Sequence, residues 1–373
     1  MRVLLLSCNT GQGHNTAAKA IYEELQRRNI PCECKDALLF GGEKASNAVS
    51  RSYTGITVKV PAAFGLIYQV GKAYSKTRLR SPIYLANKLY AKDLRQYILQ
   101  QQFDTVICTH LFPAEALTYL KRKHALDALC CGIATDYTCI PFWEEIRMDL
   151  QFIAHPDLKK ECVRRGMDAQ SIRCTGIPVS ARFNSKTGQA QARQLLGLPE
   201  SGPIFLMMTG SMGFGQILKT ARQLLIRRPN CQIVILTGRN EKLRRQVEEQ
   251  LPPHRVRAVP FTDQVPLYMD ACDVTLTKPG GLTATEAAVK NVPLVFTDPI
   301  PGCETKNMQF FEKRGMALAA KNEPDAAAKA IRLTENPTLR QAMLDAQRRN
   351  INKDAAAQIC RQICAHKMVI EDV

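Results

Sequence analysis

Four glycine-bearing stretches of this 373-residue chain combine backbone access with side chains able to bind or transfer groups. In Lys278-Pro279-Gly280-Gly281-Leu282-Thr283-Ala284-Thr285-Glu286, the glycines let the backbone approach a ligand closely. A helix start behind them presents free amides, which suits a phosphate. Thr283 can cap that helix. Glu286, three residues later, can complete a capping box or accept hydrogen bonds from ribose hydroxyls. The second stretch, Asp298-Pro299-Ile300-Pro301-Gly302-Cys303-Glu304-Thr305-Lys306-Asn307, is a proline-stiffened loop that delivers a carboxylate and an amide, a pair suited to counting sugar hydroxyls. The third, Ser7-Cys8-Asn9-Thr10-Gly11-Gln12-Gly13-His14-Asn15, sets an imidazole beside a helix start. There His14 is either a general base working near neutral pH or an N-cap-region histidine without chemistry. The fourth, Thr209-Gly210-Ser211-Met212-Gly213-Phe214-Gly215, either contacts a diphosphate or is a plain turn. The residues themselves therefore point to a nucleotide-sugar site.

These loops need strands and helices to hold them. Short β-type runs alternate with helical patterns, the signature of βαβ units and parallel sheets. Strands are expected at 2–6, 32–36, 105–109, 129–134, 150–154 and 172–175. After a break near Gly176-Ile177-Pro178 a second series follows at 204–209, 232–237, 257–259, 274–277 and 294–297. Helices are expected at 16–28, with Ala18, Ile21 and Leu25 on one face, and at 217–227, 241–250 and 354–366, the last with Ala357, Ile359 and Ile363 among its apolar positions. The fold class is thus α/β, with two doubly wound domains and ligand sites at the carboxyl ends of the strands. The expected organisation is an N-terminal acceptor and membrane-binding domain (1–178), a C-terminal donor domain (179–353) and a final helix (354–373) packing back on the first domain.

Composition narrows the classes further. Apolar residues make up 45% of the chain and charged residues 23%, as in soluble globular proteins. No apolar run reaches the roughly 18 residues of a membrane-crossing helix, and the N-terminal apolar run is too short for a signal peptide. A cytoplasmic location is expected. Fourteen cysteines are scattered without any C-x-x-C pair, which implies reduced buried thiols and no zinc or other metal site. The net charge of +17 implies an anionic partner. Nine basic residues and no acidic one lie between Lys44 and Lys92, interleaved with Tyr53, Phe64, Tyr68, Tyr74, Tyr84 and Tyr90 and with apolar Leu66, Ile67 and Val70. Such a segment suits the surface of an anionic membrane, with Lys72, Lys76, Arg78, Arg80, Phe64 and Tyr68 as contacts; ordinary exposed helix faces are the alternative.

Taken together, the motifs resemble one family. SCNTGQGH followed by TAAKAI resembles the N-terminal motif of monogalactosyldiacylglycerol synthases and processive diacylglycerol glucosyltransferases. KPGGLTATEA and VPLVFTDPIPGCETKN resemble the family's donor signature, with THLFPAEAL, ATDY and TGIPV in order between them. The resemblance covers nearly the whole chain. It implies a GT-B fold, two Rossmann-like domains facing a central cleft, with metal-independent, inverting transfer from a UDP-hexose to diacylglycerol. No cofactor is implied, since the UDP-sugar is a substrate. By this likeness Gly280, Gly281, Thr283 and Glu286 would hold UDP, and Glu304 and Asn307 would touch the hexose. His14 and Asp136 would line the reaction centre. Gly13, Gly210, Ser211, Gly238, Phe261, Leu282, Gly302 and Cys303 complete the expected donor site. Cys303 stands where the family commonly has Gln, and a thiol is a much weaker hydrogen-bonding group, so the identity of the hexose is open. After Asp136 the chain has Tyr137-Thr138-Cys139-Ile140-Pro141 where the family often carries His, so no role of that His carries over.

The implied reaction is a single displacement. A base, His14 first and Asp136 second, takes the proton of an acceptor hydroxyl as it attacks the anomeric carbon, while helix starts and loop amides stabilise departing UDP. Domain closure would then exclude water. Three other readings remain in view: an N-acetylglucosaminyltransferase acting on another lipid, a UDP-sugar 2-epimerase of the same fold, and a nucleic-acid-binding protein suggested by pI ≈ 9.4. The last lacks any recognised motif, and no nucleic-acid partner is expected.

Overall fold

The computed structural model describes residues 1–9, 12–43, 46, 61–75, 77, 79–208 and 216–371, with the side chains of 61–64 and 370–371 left aside. Its contacts divide the chain into two units. Unit 1 comprises Met1–Ala181, Pro301–Cys303 and Asn352–Val373; unit 2 comprises Arg182–Ile300 and Glu304–Ile351.

Unit 1 is built on six parallel strands, β1 (Val3–Ser7), β2 (Cys32–Asp36), β3 (Thr105–Cys108), β4 (Leu129–Ile133), β5 (Leu150–Ile153) and β6 (Ile172–Cys174), in the order β2-β1-β3-β4-β5-β6. Its central strands are wholly buried and correspondingly apolar, VLLLS in β1 and LCCGI in β4. The chain leaves β1 towards β2 on one side and returns as β3 on the other, so the β1/β3 boundary is a topological switch point.

The final helix, Ala355–Glu371, joins this core. Ile359 and Ile363 are fully buried beside Ile21 and Leu25 of helix Gln12–Arg27, with Val3, Leu5 and Phe152 beneath. Ala357 is half-buried. Polar contacts anchor the helix start: Asn352 Nδ2 donates to the Thr175 carbonyl at 2.7 Å. Gly176 (φ +98°) turns beneath it, where a Cβ would come within 3.2 Å of Ala355 Cβ. Two factors, left-handed backbone and close approach, thus require glycine there.

Unit 2 repeats the plan with β7 (Ile204–Met208), β8 (Gln232–Gly238), β9 (Val256–Pro260), β10 (Val274–Thr277), β11 (Leu294–Phe296) and β12 (Leu318–Ala319), ordered β12-β11-β10-β7-β8-β9 and all parallel. Its switch point lies between β7 and β10. Helices Ile217–Arg227 and Glu241–Gln250 match the expected bounds. β12 was not foreseen, because two residues carry no alternation to read.

Helices Pro61–Ser75 and Pro82–Asn87 lie in the basic segment, in unit 1. The structure corrects the interfacial reading of two tyrosines there. Tyr84 is 1% exposed, packs edgewise on Tyr119 with ring centroids 6.3 Å apart and lies beneath the guanidinium groups of Arg80 and Arg122. Tyr90 is also buried and donates to Asn87 Oδ1 at 2.8 Å. Both are core residues, so neither can dip into a bilayer. No helix among the described residues is long and apolar enough to cross a membrane.

Candidate active site

In unit 1 the chemistry gathers at the β1/β3 switch point. The helix after β1 begins at Gln12, four residues earlier than the expected start at 16, which puts Gly13 and His14 in its first turn, both half-buried. The His14 ring reaches across to the end of β3, where Nδ1 lies 2.7 Å from the Thr109 carbonyl and 3.2 Å from Thr135 Oγ1. A carbonyl can only accept, so Nδ1 carries the hydrogen and Nε2 keeps its lone pair, the tautomer a base requires. Thr109 Oγ1 donates back to the His14 carbonyl at 3.0 Å.

Three effects set the charge of His14. Burial is the largest and lowers its pKa; the Asp136 carboxylate and the bond to Thr109 act in the opposite direction. The ring is therefore neutral near pH 7, while Asp136, which follows β4, stabilises the imidazolium formed when the ring accepts a proton. Asp136, the second candidate base in the sequence, thus acts on His14 electrostatically in the structure.

His110 was missed. It follows β3, is buried, and meets His14 edge-on with ring centroids 4.5 Å apart. Its Nδ1 accepts from the Phe112 amide at 3.1 Å, capping helix Leu111–Arg122. Burial, then His14, push its pKa well below the ordinary value, so it stays neutral beside His14. Its position within THLFPAEAL, at the carboxyl end of a switch-point strand, was the available signal.

In unit 2 the matching switch-point loop follows β10. Helix Gly281–Lys290 begins with Gly280 as its N-cap. This corrects the capping role given to Thr283, which lies inside the first turn and half-buried, and it removes the capping-box reading of Glu286. Leu282 is buried at the same turn. Gly280 has an ordinary φ of −67°, and a Cβ there would meet Glu304 Oε1 at 3.8 Å, an ordinary contact, so neither backbone strain nor crowding by the protein requires glycine. Glu286 is buried in the helix, and desolvation pushes its carboxyl up to about 8 against a smaller opposing pull from Arg182. Near neutral pH it is a protonated acid, able to donate as well as accept a hydrogen bond.

Glu304 and Asn307, expected at the hexose, are both engaged by the protein. Glu304 Oε1 is 2.6 Å from Lys278 Nζ and Oε2 accepts from the Ile300 amide at 2.9 Å. Asn307 is fully buried and donates to the Pro279 carbonyl at 3.1 Å, so it braces the glycine loop. Gly302 (φ +119°) makes the left-handed turn into helix Cys303–Lys313, and Cys303 is half-buried at its first position.

Gly238 and Phe261 come together at the edge of the same sheet, since Gly238 pairs with Pro260. Gly238 (φ +58°) faces open space, and Phe261 is 65% exposed with the Arg239 guanidinium 5.1 Å above its ring. Gly210, Ser211, Lys76 and Arg78 lie outside the described residues. Phe64 lies in helix Pro61–Ser75, its side chain likewise outside them. Lys72 and Arg80 are exposed, and Tyr68 is half-buried. Among the described residues no group of acids, cysteines or histidines is arranged to hold a metal ion.

Comparison with known proteins follows the same division. Residues 14–179 match the family of monogalactosyldiacylglycerol (MGDG) synthase, and residues 192–350 match glycosyl transferases group 1. The processive diacylglycerol beta-glucosyltransferase of Bacillus licheniformis is 27% identical over 324 residues, 85% of this chain and 82% of the relative. Its Bacillus pumilus counterpart is 26% identical over 343 residues, 90% of this chain and 87% of the relative. Among solved structures, Acinetobacter baumannii MurG superposes with a TM-score of 0.60 at 15% identity, over 98% of this chain and 99% of that one. MnaA of S. aureus, solved with UDP, reaches 0.64 at 13% identity, over 97% and 96% of the two chains. At such identities the structures speak for the fold. With its motifs, its two parallel-sheet units and these relatives in agreement, the chain has the GT-B fold and is similar to monogalactosyldiacylglycerol synthase over residues 14–179 and to glycosyl transferases group 1 over residues 192–350.

Proposed function

We propose that this protein transfers a hexose from a UDP-sugar to diacylglycerol, or to a glycosyl-diacylglycerol, at the cytoplasmic membrane face, with inversion and without a metal. The observation that carries the reading is the state of His14: a neutral ring with its Nδ1 hydrogen tied to Thr109 and the Asp136 charge nearby. That is a base prepared to take the proton of a poorly acidic alcohol, the step a diacylglycerol acceptor needs. In unit 2 the amides at the start of helix Gly281–Lys290 suit the diphosphate, protonated Glu286 the ribose and Phe261 the base ring. Glu304, held by Lys278, is the carboxylate for the hexose.

The membrane part of the proposal rests on helix Pro61–Ser75, where Leu66, Ile67 and Val70 are 67%, 55% and 60% exposed beside Lys72. Apolar side chains with flanking cations suit peripheral contact with an anionic surface.

A UDP-sugar 2-epimerase is the second reading, because a putative enzyme of that kind from Listeria monocytogenes shares the fold at a TM-score of 0.64. Release of UDP on mixing with UDP-hexose separates the two. Transfer predicts that UDP accumulates steeply only when diacylglycerol vesicles are added. UDP release indifferent to lipid, or conversion of the UDP-sugar itself, would defeat the proposal.

A further inference from the structure

Unit 1 holds a cavity that the proposed reaction does not account for. It has a volume of about 620 Å³ and is walled by Leu38, Phe40, Pro82, Ile83, Leu89 and Phe112, with Asn87, Tyr90 and Asp93 as its polar members. Its rim is apolar to an unusual degree for a surface: Leu89 is 82% exposed, and Leu85 and Leu39, adjoining wall residues in sequence, are 53% and 50% exposed. The inner end is tied to the reaction centre. The Phe112 ring lies 4.6 Å from the His110 ring, and His110 lies 4.5 Å from His14. Two aromatic rings, Phe112 and His110, thus lead from the cavity to His14.

We infer that this cavity is a slot for one acyl chain of the lipid acceptor, an inference that rests on the diacylglycerol reading above. A lipid whose hydroxyl is brought to His14 carries two long apolar tails. One of them must lie along protein close to the base or remain in the bilayer. The cavity offers the first course, having the volume of an ordinary ligand pocket and mostly hydrocarbon walls. Its single carboxylate, Asp93, is exposed, so the buried walls present no charge that a hydrocarbon chain would have to desolvate. The exposed leucines at the rim and the exposed Lys88 and Lys92 beside them give the slot a mouth that a lipid surface can cover. A slot of this kind places the acceptor hydroxyl by its tail, so a head group that is small, or already glycosylated, can be presented to the same base.

The test uses the full chain with vesicles of phosphatidylglycerol and phosphatidylcholine carrying a diacylglycerol with a diazirine at the end of one chain. After irradiation, peptide mapping should find label on Leu38, Phe40, Ile83, Leu89 or Phe112. Ala86→Trp, which fills the slot from an exposed lining position, should remove that label. It should raise KM for long-chain diacylglycerol about tenfold or more while leaving turnover on a short-chain, water-soluble acceptor unchanged. Label confined to Leu66, Ile67 and Val70, or a cavity closed to the probe by the protein's own chain, overturns the slot even if hexose transfer is found. Labelling of the slot without hexose transfer to any lipid instead refutes the reaction and leaves the slot standing. An Ala86→Trp enzyme with unaltered preference for chain length overturns the inference as well.

Discussion

The His14 cluster of unit 1 and the glycine loop of unit 2 occupy the same place in the same kind of sheet, yet they treat ionisation differently. Each lies at the switch point of a parallel six-stranded sheet, and burial favours the neutral form of its key group in both. In unit 1 that effect is opposed by a carboxylate, Asp136, so His14 can gain a proton without being left as an isolated buried charge. In unit 2 Arg182 opposes it weakly, and Glu286 stays an uncharged acid up to about pH 8. The first arrangement suits a group whose charge must change during a reaction. The second suits a group that holds a ligand and never changes charge.

The largest expected effect breaks unit 1 alone. His14→Ala should lower kcat by roughly 10²-fold or more, with UDP affinity unchanged in titration calorimetry. Near-full turnover would move the base to another residue. Asp136→Asn should also slow transfer and, because Asp136 raises the pKa of His14, shift the acid limb of the pH–rate profile to lower pH. An acid limb that stays in place would remove Asp136 from the electrostatics of the base.

Changes in unit 2 should be smaller and of another kind. Glu304→Ala should mainly alter the choice among UDP-hexoses, through loss of the carboxylate and release of Lys278. Glu286→Ala should raise the donor KM about tenfold and change kcat little, since a ribose contact acts in ground and transition states alike. A kcat effect in Glu286→Ala as large as that of His14→Ala would erase the contrast between the two sites. Glu286 also carries a pH signature. Its folded pKa of about 8 exceeds the unfolded value, so its contribution to stability is complete below about pH 4.5 and is lost as pH rises through 8. Glu286→Gln should therefore flatten the fall in urea stability over that window, by an amount on the order of a few kcal/mol at most.

The smallest effect concerns location. Lys72→Glu with Lys76→Glu and Arg78→Glu should weaken sedimentation with anionic vesicles, each charge being worth about 1 kcal/mol near such a surface. Arg80 is left intact because it packs over Tyr84. Binding indifferent to both this change and salt would assign the segment another role.

The central strands could be read from the chain because parallel strands are buried on both faces and appear as plain apolar runs; β3 and β10 fall where that pattern places them. The ends of helices were less legible. Gln12, Gly13 and His14 carry no apolar periodicity, so the first turn that positions His14 was invisible. The same limit hid the capping role of Gly280, since a glycine N-cap has no side chain to announce it. Tyr84 and Tyr90 were misread because a basic, aromatic segment has the same composition whether its rings face lipid or a core. His110 and the Thr109 carbonyl could not be paired with His14 from sequence, as 95 residues separate Thr109 from His14 and only the strand order brings them together.

The most direct test is incubation of the wild-type protein with a panel of UDP-sugars and diacylglycerol-containing vesicles, the lipid fraction being read by mass. The account predicts a diacylglycerol product heavier by one or more hexosyl units, formed from a UDP-hexose without added metal and abolished by His14→Ala. A lipid fraction unchanged for every UDP-sugar, or a product formed equally well by His14→Ala, would contradict it.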